Sequence, residues 1–205
     1  MSGGKKKSEE VAKKVLQSCR DVLFRRRKIF VMLNMLSFDC IFLGVLLGQF
    51  FYAPLPYMED VYGSLIWFRG LDWPWMILAI FISNLALSGF IFSTLPGLVF
   101  FPFSVIFLAM RGVSWGIMSN QPSVVPLLLV IPTFILEGEG YVLASMAGTI
   151  LGLSWLKPDW IYKDEYLSRL DALKTALREA ISLLFLSATI LLLGAVVETL
   201  TIKGV

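Results

Sequence analysis

Two glutamates interrupt the apolar stretch of this chain that runs from Val124 to Leu156. Glu137 and Glu139 are each followed by a glycine, so that the local sequence is Glu-Gly-Glu-Gly. A charged side chain at the centre of a membrane-inserted helix costs about 2.5–3.5 kcal/mol, and acids at that depth usually have a function. Because carboxyl groups can donate and accept protons, acid–base chemistry is the first chemistry to consider.

Three other polar residues lie inside apolar segments and are candidates to act with the glutamates. Arg111 falls close to the depth of Glu139 when residues are counted from the cytoplasmic side at about 1.5 Å each. This predicts an ion pair between Arg111 and either Glu137 or Glu139. Asp39 and Asn84 both fall near the middle of their segments. They are predicted to hydrogen-bond to each other between helices or, alternatively, to line a pore or proton route.

The two glutamates also have a structural explanation. If a helix begins near Gly140, its free N–H groups and the positive end of its dipole stabilise carboxylates at its start. Positions i and i+2 point apart on a helix, which argues against a shared catalytic role for Glu137 and Glu139. A further acid, Glu198, is predicted to lie at the outer membrane interface.

The chain lacks the residues on which common catalytic and metal sites depend. It contains no histidine, which excludes Ser–His and Cys–His mechanisms and the HExxH type of zinc site. Neither of the phosphate-binding patterns GxxxxGK[ST] and GxGxxG occurs. We therefore predict no catalytic residue, no cofactor, no bound metal and no enzymatic activity.

The composition is typical of an integral membrane protein. Of the 205 residues, 57% are hydrophobic and 16% are charged, against about 45–50% and 25% in soluble domains. Because about 20 apolar residues span a bilayer, the apolar runs predict an all-α polytopic transmembrane helix bundle with about five crossings. Four of these crossings are predicted at Ile29–Tyr52, Trp73–Leu95, Leu98–Met118 and Ala180–Leu200.

The stretch from Val124 to Leu156 is too long for one straight crossing. It contains two prolines and two glycines, Pro126, Pro132, Gly138 and Gly140. Because these residue types interrupt helices, we predict a broken or re-entrant segment near 124–140. The simplest arrangement is a short outer-leaflet segment over 124–136 followed by a crossing helix over 140–156. A hairpin through 124–156 is the alternative.

The distribution of basic residues predicts the orientation. Residues 1–28 carry ten of the 18 Lys and Arg residues, and residues 157–178 carry five more. Residues 53–72 carry a single basic residue, Arg69. Their aromatic side chains predict an interfacial belt. The positive-inside rule therefore places the N-terminus and residues 157–178 in the cytoplasm. The loop 53–72 and the C-terminus are then predicted to lie outside a plasma membrane.

Two amphipathic helices are predicted beside the transmembrane domain. Residues 1–28 are assigned as a basic cytoplasmic helix that lies on the membrane surface and contacts anionic lipids. Residues 29–205 are assigned as a single transmembrane helical domain. An ordinary solvated basic helix is the alternative. Residues 159–179 alternate in charge and carry leucines at helical spacing. This pattern predicts a second cytoplasmic helix that runs into the last crossing and can either dock a partner or pack on the protein itself.

Three stretches carry a resemblance to a known family. They are FISNLALSGFIFSTLPG at 81–97, FFPFSVIFLAMRGVSWGIM at 100–118 and LVIPTFILEGEGYVLASMAGTILGLSW at 129–155. Over about residues 75–200 the chain resembles the stage II sporulation protein M family of bacterial and archaeal membrane proteins. The positions that match the family's pattern are Asn84, Gly112, Gly116, Pro132, Glu137 or Glu139, Ala144, Gly148 and Gly152.

The resemblance has one departure and several implications. The family commonly has Pro-His-Gly before its glutamate, whereas this chain has Pro132-Thr133-Phe134. In spore-forming bacteria the family member anchors cell-wall hydrolases during engulfment, so the resemblance implies a multi-pass scaffold or a transporter-like protein. The layout is also similar to that of ABC-2-type permeases, an analogy of architecture alone.

Three functions are therefore considered from the sequence. The first is a non-enzymatic scaffold or assembly subunit for partner proteins. The second is a transport subunit that works with a separate nucleotide-binding ATPase, with Glu137, Glu139, Arg111, Asp39 and Asn84 along its path. The third, supported least, is an intramembrane enzyme that uses the two glutamates. The expected partners are the lipid bilayer, a protein partner or nucleotide-binding subunit, and a second copy in a homo-oligomer, but no nucleic acid.

Overall fold

A computed structural model describes residues 2–50, 70–119, 127–162 and 167–203, and this part of the chain is helical without any strand. The helices are α1 (Ser2–Arg25), α2 (Arg27–Phe50), α3 (Trp73–Val99), α4 (Pro102–Ser119), α5 (Leu127–Leu156), α6 (Pro158–Ile161) and α7 (Arg169–Lys203). Five of them, α2, α3, α4, α5 and α7, are long and apolar enough to cross a membrane. The predicted all-α polytopic bundle is thus confirmed, whereas the predicted aromatic belt over 53–72 lies mostly outside the described residues.

Helix α5 is the centre of the bundle. In its most apolar segment of 18 residues, 72% of the residues are buried. In the corresponding segments of the other four membrane-length helices, 22–33% are buried. It packs most extensively on α7, and it also contacts α2, α3 and α4. A helix that is surrounded by protein can carry polar side chains at membrane depth, since they meet other protein groups rather than lipid.

The predicted break near 124–140 is wrong over the described part of that segment. Helix α5 runs without interruption from Leu127 to Leu156 and contains Pro132 within it. A proline removes one backbone hydrogen bond, a local loss, whereas a break in a dry environment leaves several groups unpaired. The glycines are also accommodated by packing, because Gly140 lies directly against the side chain of Leu191 on α7.

The irregular helix is instead α3, for which the sequence predicts one crossing without any break. Its middle section, Ser83–Thr94, has π-helical geometry between α-helical turns at Trp73–Ile82 and Leu95–Val99. Hydroxyl groups bond to carbonyl groups in this section: Thr94 donates to the Gly89 oxygen at 2.9 Å, and Ser104 of α4 donates to the Ser93 oxygen at 2.7 Å. These side chains satisfy backbone acceptors that would otherwise be costly to bury.

Small residues allow the helices to approach closely. Gly44 of α2 lies against the backbone of Val113 and Gly116 on α4, so that any larger side chain would collide with main-chain atoms. Gly148 and Gly152 of α5 pack in the same way against the α3 and α4 region. Such contacts let dispersion forces hold helices together where the hydrophobic effect is weak.

The second amphipathic helix joins the last crossing, as predicted. Helix α7 runs unbroken from Arg169 to Lys203, although residues 163–166 lie outside the described part. Helix α1 lies against α7. Its residues Cys19 and Val22 are buried, and the Cys19 thiol donates a hydrogen bond to the Ser182 carbonyl of α7 at 3.1 Å. The apolar face of α1 therefore packs on α7.

Candidate functional site

A buried group of polar side chains lies between α3, α5 and α7. Asn84 stands at the start of the π-helical section of α3, and its amide donates a short hydrogen bond to the Glu137 carboxylate on α5. The hydroxyl of Tyr141, one turn beyond Glu137, donates to the Asn84 carbonyl oxygen at 2.8 Å. All three side chains are at least 92% shielded from solvent and lipid. We call Asn84, Glu137 and Tyr141, together with Arg111 and Glu198, the polar centre.

Arg111 joins the polar centre through Tyr141 rather than through an acid. Its Nη2 atom donates to the Tyr141 hydroxyl at 3.3 Å, and its guanidinium lies 5.1 Å from the centre of the Tyr141 ring and 5.3 Å from that of Trp115. Among the described residues no salt bridge links Arg111 to Glu137 or Glu139, so the predicted ion pair does not form. Aromatic faces stabilise the cation instead.

A second carboxyl group faces Glu137 from α7. Glu198 lies within hydrogen-bonding distance of the Glu137 carboxyl group. A hydrogen bond between two carboxyl groups requires a proton on one of them, since an ionised carboxylate only accepts. Gly194, one turn earlier on α7, packs directly on Glu137, since a Cβ atom there would stand 3.4 Å from the Glu137 Cγ.

Two buried polar atoms in this region have no hydrogen-bond partner among the described residues. They are Nε of Arg111 and the hydroxyl of Thr133, which precedes Glu137 by one turn of α5. Buried unpaired donors cost about 1–3 kcal/mol each, so most are satisfied by protein or by water. Each of these two groups can therefore donate one further hydrogen bond.

One comparison with known proteins identifies the family. The family model for Stage II sporulation protein M matches residues 37–201, which include every residue of the polar centre. The chain belongs to the Stage II sporulation protein M family. Neither a curated protein nor a solved structure matches it.

The positions that match the pattern of the Stage II sporulation protein M family can now be located in the structure. The resemblance left open whether Glu137 or Glu139 corresponds to the family's glutamate. Only Glu137 contacts Asn84, the asparagine of the same pattern. Gly112 and Gly116 of that pattern are the α4 contact points for α2. Of the matched positions, Asn84 and Glu137 thus lie in the polar centre, and Gly112 and Gly116 lie in the contact between α2 and α4.

Glu139 and Asp39 lie apart from the polar centre. Glu139 is half-buried and faces α2 near Asn34, whose amide donates to the Phe30 carbonyl oxygen at 3.1 Å. Asp39 is exposed on the outer surface of α2, and the predicted hydrogen bond between Asp39 and Asn84 is wrong. The prediction failed because depth along a helix was used without the direction that the side chain faces.

A second charged group ties α1 to α7 at one end of the bundle. Glu179 is 4% exposed and receives two bonds from the Arg26 guanidinium, both at 3.0 Å, and a third from Arg25 at 3.2 Å. Arg26 also donates to the Ile161 carbonyl and covers the Tyr162 ring at 4.6 Å. Burial, together with the nearby Glu179 carboxylate, raises the pKa of Tyr162 to about 12.

Sequence reasoning missed Tyr141, Glu198 and Thr133 as members or neighbours of the polar centre. Tyr141 and Thr133 could have been found, because they stand four residues on either side of Glu137 and share its helix face. Glu198 had a weaker signal, the small residue Gly194 one turn before it. Buried Glu179 was placed on a polar helix face, since nothing in its local sequence shows that Arg26 would reach it.

Proposed function

We propose that this member of the family is a non-enzymatic membrane scaffold or assembly subunit for partner proteins. The observation that carries the proposal is the bonding of Glu137. Its carboxyl group is buried, accepts a bond from Asn84 and contacts Glu198, and Asn84 is in turn bonded by Tyr141. Carboxyl groups whose bonds are taken up by their own protein hold helices in position.

The absence of a catalytic role is part of the same proposal. Glu137 and Glu139 face different helices, so the pair on which the enzyme alternative depended is not a joint site. No group of three or more potential metal ligands occurs within the described ranges. The acids therefore support a role in assembly more directly than a reaction.

The exposed start of α7 supports the proposed partner docking. Leu170 and Leu177 stand two helical turns apart and are 70% and 52% exposed. This part of the chain precedes the predicted last crossing and lies on the predicted cytoplasmic side. Exposed leucines at this spacing are typical of a helix face that binds another protein.

Co-purification from native membranes tests the proposal with one conservative variant. Glu137→Gln keeps an oxygen that can accept from Asn84 but removes the acid. A scaffold is expected to retain its partners and its cellular function at the wild-type level in this variant. Leu177→Ala, on the exposed face, is the contrasting variant and should lose partners. Loss of function in Glu137→Gln, with partners and protein amount unchanged, would contradict the scaffold.

A transport subunit that works with a separate ATPase is the second candidate function. It is favoured by the excess of acid in the polar centre, where Glu137 and Glu198 face one cation, Arg111. It is also favoured by the unpaired Arg111 Nε and Thr133 hydroxyl, which in a path would contact water or substrate. Co-purification of a nucleotide-binding subunit, combined with loss of function in Glu137→Gln, is the result that this candidate predicts.

A further inference from the structure

Asp39 is a carboxylate near the middle of a membrane-length helix, and it faces away from its own protein. It is the thirteenth residue of the 24-residue helix α2, about 18 Å from the helix start at 1.5 Å per residue. Its side chain is exposed, and no described residue forms a salt bridge or donates a hydrogen bond to it. Acids at this depth nearly always face a protein or water-filled interior, so the surface around Asp39 needs a cover.

The residues around Asp39 have the spacing of a helix-pairing surface. Exposed residues follow one another at intervals of three and four along α2, and we call them the α2 seam: Met32, Met35, Asp39, Phe42 and Leu46. An average spacing of 3.5 residues is the signature of two helices that wind around each other with a left-handed twist. The opposite face of α2, with Gly44, is already packed on α4. The seam is thus a second, unoccupied face.

We propose that two copies of the chain pair through their α2 seams, with the two Asp39 carboxyl groups hydrogen-bonded to each other. Copies inserted in the same orientation bring Asp39 to the same depth without any further requirement. One carboxyl group with its proton donates to the other, which accepts. A single polar residue in an apolar seam also fixes the register and the number of helices.

The size of the seam suits a dimer. Four large apolar side chains of the seam are 38–69% exposed, and Phe50, one turn beyond Leu46, is 83% exposed. Taking about 200 Å² for a large side chain, the pairing buries on the order of 600 Å² per protomer. The total for two protomers exceeds the roughly 1,000 Å² that a specific interface needs.

Disulfide crosslinking in native membranes tests the pairing. The background is the full chain with Cys19→Ser and Cys40→Ala. Leu46→Cys and Met35→Cys, on the seam, are expected to form a disulfide-linked dimer on mild oxidation. Leu192→Cys on α7 and Met110→Cys on α4 are matched controls, since they have the same residue types and similar exposure. Seam cysteines that crosslink no more than the controls, or that crosslink to a different protein, would overturn the proposal.

Substitution of Asp39 tests the contact between the carboxyl groups. Asp39→Asn is expected to keep the dimer, because an amide both donates and accepts. Asp39→Lys places two cations together, neither of which can accept, and is expected to shift the protein from dimer to monomer mass. Molecular mass in detergent by light scattering gives the readout. A dimer that persists in Asp39→Lys, or a wild-type protein that is monomeric, rules out the paired carboxyl groups.

Discussion

At the scale of the residue, the polar centre is a relay of hydrogen bonds from a cation to an acid. Arg111 donates to Tyr141, Tyr141 donates to Asn84, and Asn84 donates to Glu137. Two neutral side chains therefore separate the charges that the sequence predicted to touch. Asn84 is the link between α5 residues in this relay, since it accepts from Tyr141 and donates to Glu137.

The first prediction concerns Asn84. Asn84→Ala should lower the free energy of unfolding by about 1–3 kcal/mol, because Glu137 and Tyr141 each lose a partner while they stay buried. Thermal unfolding in detergent, followed by tryptophan fluorescence, provides the measurement. Asn34→Ala is the control, since Asn34 is only half-buried and should matter less. Equal losses of stability in the two variants would show that Asn84 contributes no more to stability than a half-buried asparagine outside the polar centre.

The second prediction concerns pH and Tyr162. Its pKa is raised to about 12 by burial and by Glu179, so the neutral phenol is the form that the fold favours. The stability from this group is complete below pH 10, the ordinary pKa, and is lost as the pH rises toward 12. Tyr162→Phe, which cannot ionise, should lose less stability than the wild type over that range. Parallel curves for the two proteins between pH 10 and 12 would contradict the assignment.

At the scale of the element, Pro132, Gly138 and Gly140 were misinterpreted as a break in α5. Spacing identifies small residues that meet a neighbouring helix, because four-residue intervals place them on one face. Whether Pro132 breaks a helix depends on the packing around it, which local sequence does not record. For the same reason nothing in Ser83–Thr94 indicates its π-helical geometry, which relies on hydroxyl groups from itself and from α4.

The third prediction compares two glycines. Gly116→Ala should destabilise the bundle by about 1–3 kcal/mol, because the new methyl group meets the backbone of Ile41 and Gly44 on α2. Gly138→Ala is the control, since its Cβ would stand 3.6 Å from the Trp115 ring in ordinary contact. That substitution should be neutral or slightly stabilising, as alanine favours helix. Gly116→Ala is expected to melt at a lower temperature than Gly138→Ala. The reverse order would contradict the α2–α4 contact.

At the scale of the whole molecule, the bundle has α5 at its centre. At one end it has the ion pair of Arg26 and Glu179, which we call the clamp. The number of crossings, the unbroken α7 and the family could all be predicted from apolar runs and motifs. The clamp of Arg26 on Glu179 could not, because it joins residues 153 positions apart. The same applies to Glu198, whose contact with Glu137 depends on how α5 and α7 align.

The fourth prediction concerns that clamp. Glu179→Ala should destabilise the protein by about 3–5 kcal/mol, since Arg26 would remain buried without its carboxylate. It should also release α1 from α7, so limited trypsin digestion should cleave within α1 sooner. Replacement of the exposed Asp171 by Ala serves as the control. Unchanged cleavage in Glu179→Ala would mean that α1 is held mainly by Cys19 and Val22.

The most direct test of a structural polar centre is its accessibility to water. Thr133→Cys, in the background with Cys19→Ser and Cys40→Ala, places a thiol beside Glu137. A small charged thiol reagent should label it no faster than Phe185→Cys, which faces outward from a membrane-length helix, while Lys174→Cys on the exposed turn of α7 should react rapidly. This is the result expected of a dry centre that holds the helices of a scaffold. Labelling of Thr133→Cys at the rate of Lys174→Cys would contradict it and indicate a water-filled path.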